Sequence, residues 1–398
     1  MKDPVSTDIP TPKLFEPLKI RGITLPNRIA LAPLCMYSAT DGVANDWHFS
    51  HLSTFARGGV GLVFTEATGV EPRGRITPRC LGLWNDAQAD ALKPITAFIK
   101  SMGSVPGMQL AHAGRKASVR PPFLGGTPLN DEDAARGEPA WDVVGPSANG
   151  LGEPWPSPHA LTATEIREIV AAFAAAAARS VAAGFEVLEV HGAHGYLIQS
   201  FLSPISNQRN DEYGGDLAGR MRFALEVAEA VRAAWPRHLP LFYRISAVDG
   251  PDDGWNMDDS VALSRELHAR GVDVIDCSSG GVLGLPRFRG ADDGKTLVKR
   301  IARGPGFQVP YAERVRRETD AMSMAVGVII DPQQAEDILQ QGRADIVAIG
   351  RELMYNPFWP LHAAQALGID AEAERWPKQY AWAIKGRASL AEFNRPGS

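Results

Sequence analysis

The chain has 398 residues, 44% of them hydrophobic, enough for one large or two to three ordinary domains with a substantial core. Its 41 Lys and Arg are scattered and outnumbered by 46 Asp and Glu, for a net charge of -5, so it lacks the electrostatic footprint of a nucleic-acid binder. Cys35, Cys80 and Cys277 are odd in number and far apart, which argues against a disulfide framework. With no apolar signal core at the start and no run of ~18 apolar residues, a soluble cytoplasmic protein is expected.

In chain order, short apolar runs occur at Arg28–Leu31, Gly61–Thr65, Val105–Leu110, Phe185–Val190, Leu241–Ile245, Val272–Asp276, Met324–Val328 and Asp345–Ile349. Helix-period stretches alternate with them: Asp46–Arg57, Asp86–Met102, Thr164–Ala183, Leu217–Trp235, Met257–Arg270, Tyr311–Thr319, Pro332–Gln341 and Pro357–Leu367. Thr162 to Glu165 forms a capping-box pattern, and Asp331-Pro332 an N-cap followed by proline at the first helical position. Eight strand–helix units without a composition break favour a closed (β/α)8 TIM barrel over a doubly wound sheet. One barrel domain over 1–398 is expected, with an N-terminal arm at 1–27 and a C-terminal tail at 368–398. The insertions Arg115–Ala160 and Gly281–Pro310 each follow a strand's carboxyl end, where they would form lids around the mouth.

The strand ends are polar or glycine-bearing: Ala32 to Tyr37, Glu66-Ala67, Gln109 to His112, His191, Arg244 to Ser246, Ser278 to Gly281, Gly327 and Gly350-Arg351. In a barrel these converge on one mouth. The segment His191–Asp216 reads as a polar loop behind a buried strand, with Asn207–Gly215 shaping the mouth wall. His191 and His194 could be metal ligands, a structural pair, or neutral donors to a substrate oxygen; the zinc-helix spacing is absent, and no metal is expected. Tyr196 offers a phenolic proton or a packed aromatic. Arg244 could meet a buried carboxylate or an anionic cofactor, and Gln109 a heterocycle edge or the backbone. Gly350 and Arg351 suit a phosphate, though Gly350 would equally serve as a helix-entry turn. No GxGxxG stands between a strand and a helix, so a separate dinucleotide domain is not expected.

The blocks Leu14-Phe-Glu-Pro17, Leu25 to Arg28, Ala32 to Tyr37, Gln109 to Ala117, His191 to Asp216, Asp276 to Gly280 and Ile349 to Leu353, in this order over nearly the whole chain, resemble the old yellow enzyme family of flavin oxidoreductases. The likeness is to its thermophilic-like ene-reductase branch. That resemblance implies a barrel holding FMN noncovalently, with NADPH or NADH as transient hydride donor. Pro33, Leu34, Ala67, Gln109 and Arg244 would face the isoalloxazine ring, with Cys35 near it tuning its potential. Ser279, Gly280, Gly327, Gly350 and Arg351 would hold ribityl and phosphate. His191 and His194, aided by Tyr37, would bind the carbonyl oxygen of an α,β-unsaturated substrate, and Tyr196 would protonate the carbon opposite the hydride. The alternatives are a flavin barrel that reduces nitro compounds or quinones, and a non-catalytic flavin- or phosphate-binding barrel. The resemblance also implies a homodimer or homotetramer in which a tail residue, Tyr380, Trp382 or Arg387, reaches the neighbouring site.

Overall fold

The computed structural model describes residues 11–283, 301 and 303–385. Eight strands close into a parallel barrel in sequence order: β1 (Ile29–Leu31), β2 (Leu62–Gly69), β3 (Val105–Ala111), β4 (Val187–Gly192), β5 (Leu241–Ser246), β6 (Val274–Ser278), β7 (Met322–Val326) and β8 (Ile346–Ile349), which pairs back onto β1. The expected helices alternate with them: α1 (Asp46–Arg57), α2 (Asp86–Ser101), α3 (Ala163–Ala182), α4 (Leu217–Ala234), α5 (Met257–Ala269), α6 (Val309–Glu318), α7 (Pro332–Gln340) and α8 (Trp359–Ala366). The protein is a (β/α)8 barrel. Thr162 and Glu165 form the capping box, and Asp331 caps α7 ahead of Pro332. Each such cap contributes about 1 kcal/mol.

Several sequence boundaries need correction: β6 starts and ends two residues later than the expected Val272–Asp276, and β7 two residues earlier than the expected Met324–Val328. β2 runs to Gly69 rather than Thr65, because after a register shift between Phe64 and Ala67 its Ala67, Thr68 and Gly69 still pair with Gln109, Leu110 and Ala111. β4 extends two residues past Val190, since His191 and Gly192 stay paired with Arg244 and Ile245 of β5. His191 is therefore a strand residue, not the start of a loop. The segment behind it is not simply a polar loop either: Leu197–Leu202 is a short, fully buried helix whose Leu197, Ile198, Phe201 and Leu202 join the main core.

Strand periodicity sorts the core into two parts. One apolar cluster lies inside the barrel, with Ala30, Leu62, Phe64, Val105, Val187, Phe242, Val274, Met324 and Ile346 among its members. The larger cluster joins the opposite strand faces to the helices, where Phe173, Ala176 and Ala177 of α3 are fully buried. The expected N-terminal arm contains an antiparallel hairpin, Leu18–Ile20 with Ile23–Leu25. Leu18, Ile20 and Leu25 enter the interior cluster, while Arg21 pairs with Asp273 at 2.6 Å, one residue before β6. The hairpin thus stoppers the amino-terminal end of the barrel and leaves the carboxyl-terminal mouth for chemistry. Among the described residues, no helix is long and apolar enough to cross a membrane. Most of the expected second lid, Gly281–Pro310, lies outside the described residues, as does Arg387.

Candidate active site

Beyond the interior apolar layer, four strands place polar side chains inside the barrel: Gln109 on β3, Glu189 on β4, Arg244 on β5 and Asp276 on β6. All are nearly inaccessible to solvent. Gln109 Nε2 donates to Glu189 Oε1 at 2.7 Å, which leaves the amide oxygen of Gln109 as its acceptor toward the mouth. Arg244 Nε lies 2.9 Å from Asp276 Oδ2 but off hydrogen-bonding alignment, so the contact is one of charge rather than a directed bond. The buried-carboxylate reading of Arg244 is thus correct, and it leaves room for the cofactor reading. One guanidinium faces two buried carboxylates, and desolvation does not tolerate the surplus negative charge. Burial, reinforced by the charge of Asp276, pushes the Glu189 carboxyl well above its usual range; Arg244 and Gln109 oppose the shift. Burial also raises Asp276 against the pull of Arg244.

Above this layer stand His191, Ser246 and Ser278, the next inward positions of β4, β5 and β6. The Ala193 backbone N–H donates to His191 Nδ1 at 3.1 Å, and His191 Nε2 faces His194 Nδ1 at 3.2 Å. His194 Nε2 lies 2.6 Å from Ser278 Oγ. Burial holds both imidazoles well below their usual range, with Arg244 and Lys116 adding to the shift, so the pair is neutral near pH 7. The loop carrying His194 (φ +61°) is pressed against the loop after β6. A Cβ on Gly281 would lie 2.3 Å from the His194 carbonyl carbon, and one on Gly195 2.2 Å from the Gly281 oxygen. Lys116 of the first insertion clamps both loops, donating to His194 O at 2.7 Å and Gly281 O at 3.2 Å. Burial, with nearby Arg115 adding, pulls this ammonium down to about 7.

The Tyr196 ring meets His191 edge to face at 5.1 Å. Cys35, Tyr37 and Tyr196 pack around one cluster that includes Cys80, Ala113 and Val119, so the loop after β1 and the first insertion share the mouth. Burial, then Glu66 and Cys80, pushes the Cys35 thiol up; burial likewise keeps both tyrosine hydroxyls protonated, with Cys35 opposing their ionisation. Cys35 is therefore a thiol, not a thiolate. His112, at the end of β3, turns away to bond Glu71 at 2.8 Å. Across the mouth, Ser279, Gly280, Gly327, Gly350 and Arg351 end β6, β7 and β8. Gly327 adopts φ +116°, and a Cβ there would press on Gln308 and Phe307 at 3.0 Å. Among the described residues, no three His, Cys, Asp or Glu side chains converge on a metal position.

These surfaces fit FMN. Pro33 and Leu34 are half-buried and Ala67 buried for a ring plane, Gln109 and Arg244 offer a buried acceptor and a cation, and bare glycine ends with Arg351 suit the phosphate. Sequence reasoning assigned no role to Glu189, Asp276, Lys116 and Gln308, and placed Ser278 among the polar strand ends without giving it one. Glu189 lies at period two before His191, and Asp276 at period two before Ser278, where strand pairing sets it beside Arg244. Gln308 had a negative signal: it occupies the N-cap of α6 without capping it, and instead accepts from Ser279 Oγ at 2.7 Å while donating to Val326 O at 3.2 Å.

Residues 13–369 match the model of the NADH:flavin oxidoreductase / NADH oxidase family. The chain belongs to that family. An NADPH dehydrogenase of Geobacillus sp. (strain WCH70) is 43% identical over 362 residues, covering 90% of this chain and 96% of that one. The NADPH dehydrogenase of Bacillus subtilis (strain 168) is 41% identical over 370 residues, 92% and 98% of the two chains. The old yellow enzyme homologue from Zymomonas mobilis superposes with a TM-score of 0.70 at 26% identity, over 93% of this chain and 99% of that one. Morphinone reductase gives 0.71 at 27% identity, over 90% and 91%. This member of the NADH:flavin oxidoreductase family is thus an FMN-dependent oxidoreductase with a nicotinamide hydride donor, and the non-catalytic alternative falls.

Proposed function

We propose that the protein is an ene-reductase, reducing the C=C bond of α,β-unsaturated carbonyl compounds with NADPH as donor. The observation that carries this reading is the neutral pair of imidazole nitrogens, 3.2 Å apart at the mouth, with the Tyr196 ring against them. Pro33, Leu34, Cys35, Ala67, Gln109 and Arg244 would hold the FMN ring, and Ser279, Gly280, Gly327, Gly350 and Arg351 its ribityl phosphate. Bound FMN supplies hydride taken from NADPH. His191 and His194, with Tyr37, hold the carbonyl oxygen and bind it more strongly as negative charge develops there, which lowers the barrier rather than only KM. Tyr196, kept protonated by burial, supplies the proton to carbon. The first insertion and the apolar cluster around Cys35 exclude water from the reacting atoms. Arg244, already matched to a carboxylate, keeps a fixed cation beneath the site without a large net charge.

An anaerobic assay of FMN-loaded protein with NADPH tests the reading: cyclohexenone is reduced at the C=C bond. Turnover of a nitro ester or quinone without cyclohexenone would favour the other acceptor class. At the level of assembly, we propose a homodimer or homotetramer whose tail approaches the neighbouring mouth. In support, Trp382 is 78% exposed, whereas Tyr380 is held within its own chain by Arg57 at 3.0 Å.

A further inference from the structure

His194 can reach a ligand oxygen between the two histidines only through Nδ1, because its Nε2 is engaged with Ser278 Oγ at 2.6 Å. Which ring nitrogen carries the proton decides whether Nδ1 donates or accepts. For His191 the backbone decides: the Ala193 N–H donates to Nδ1, so Nδ1 is bare and the proton is on Nε2. That Nε2–H points at His194 Nδ1, which in the ring-to-ring contact must accept. His194 then carries its proton on Nε2 and donates to Ser278 Oγ. The Ser278 hydroxyl hydrogen is left with Gln308 Oε1, 3.5 Å away, an acceptor that already takes the 2.7 Å bond from Ser279. The chain closes, but its last link is weak.

A carbonyl or phenolate oxygen seated between the rings needs a donor from each. His191 offers Nε2–H already. His194 can offer Nδ1–H only with Nε2 bare, and Ser278 is the hydroxyl placed to donate to it. We propose that Ser278 is a positioning residue that sets the tautomer of His194, turning its hydroxyl hydrogen from Gln308 to His194 Nε2 when an oxygen binds. Protons balance: one leaves Nε2 for mouth water, one arrives at Nδ1 from it, and the ring stays neutral throughout. Burial disfavours the other solution, an imidazolium protonated at both nitrogens.

The surroundings isolate this role. Ser278 and Ser246 are register partners at the ends of β6 and β5. Ser246 Oγ accepts the His194 backbone N–H at 2.9 Å and donates to Gly280 O at 2.8 Å. One serine holds the backbone of His194, and the other touches only its ring. The inference rests on the proposed reading of the pair as an oxygen site, but not on the reaction that follows.

The test uses FMN-loaded protein with 15N-labelled histidine, with the His194 signals identified by their loss in His194→Gln. Without ligand, His194 is protonated at Nε2; with 4-hydroxybenzaldehyde bound, it is protonated at Nδ1. In Ser278→Ala the phenol Kd rises about tenfold, about 1.4 kcal/mol, and Ser278→Thr, which keeps the hydroxyl, restores it. An unchanged tautomer in the parent protein on phenol binding overturns the proposal without any variant being made. So does parental affinity in Ser278→Ala, or failure of Ser278→Thr to restore it. If the tautomer moves but cyclohexenone is not reduced, the proposed reaction fails and this inference stands.

Discussion

Titration at the mouth is governed by which buried groups have no room for charge. Glu189 is raised in the folded protein, so its contribution to stability is complete below the unfolded value of about 4.5 and is lost as pH rises through the folded value. The histidine pair works in the other direction: lowered when folded, it contributes above the unfolded value of about 6.5 and loses that contribution as pH falls. Thermal melts from pH 6 to 9 should therefore show an alkaline decline that Glu189→Gln, permanently neutral, reduces. An equal decline in the variant would mean that Glu189 is ionised in the fold. Tyr196 makes a separate prediction. Removing its hydroxyl in Tyr196→Phe should leave NADPH-driven flavin reduction near the parental rate and slow alkene reduction 10²-fold or more, the range of general acid catalysis. Stopped-flow measurement of the two half-reactions checks this, and equal losses in both would remove the tyrosine from proton delivery.

The decisive packing between elements is that of the loops after β4 and β6, which meet backbone to backbone at Gly195 and Gly281. Gly281→Ala adds a Cβ at φ +103° only 2.3 Å from the His194 backbone. We expect a loss of about 1–3 kcal/mol in urea denaturation together with weaker phenol binding, because His194 must move. Gly215→Ala is the matched control: φ is +74°, but nothing lies within 4 Å, so stability falls by backbone strain alone and the titration is unchanged. This contact was not legible in the sequence, which marks a glycine but not what faces it. Periodicity located all eight strands and helices because apolar spacing is a local property, and Asp46–Arg57 was found to the residue. It ended β2 and β4 early because Glu66 and His191 are polar, although barrel pairing keeps their backbone in register; it likewise stopped β6 short of Cys277 and Ser278, which pair with β5, and set β7 two residues late. The candidate residues His191 and Arg244 were visible as polar groups at strand ends, and Tyr196 in the segment behind His191. Their partners Asp276, Ser278 and Lys116 come from other elements, and only the closed barrel brings them within reach.

At the scale of the molecule, the two ends of the barrel have opposite tasks. The Leu18–Leu25 hairpin closes one end with apolar side chains, and the polar layer and loops open at the other. The tail after α8 is anchored in part: Trp376 stacks on Phe358 at 5.6 Å, and Tyr380 accepts from Arg57. Its short helix Lys378–Ile384 has no buried residue, and Trp382 projects from it. A tryptophan covering roughly 200 Å² would contribute about 5 kcal/mol if buried by a second chain, before ordering costs. That exceeds what a solitary exposed indole contributes to its own fold, so its effect should appear in association. Light scattering of the FMN-loaded enzyme is expected to give a multiple of the single-chain mass, with Trp382→Ser shifting the balance toward monomer at micromolar concentration. Because the residue is 78% exposed and its indole N–H bonds Gln379 O within its own helix, its thermal melt should hardly move when association is already lost by dilution. A parental mass in Trp382→Ser would exclude the indole from the interface, and a single-chain mass in the parent would exclude the assembly itself.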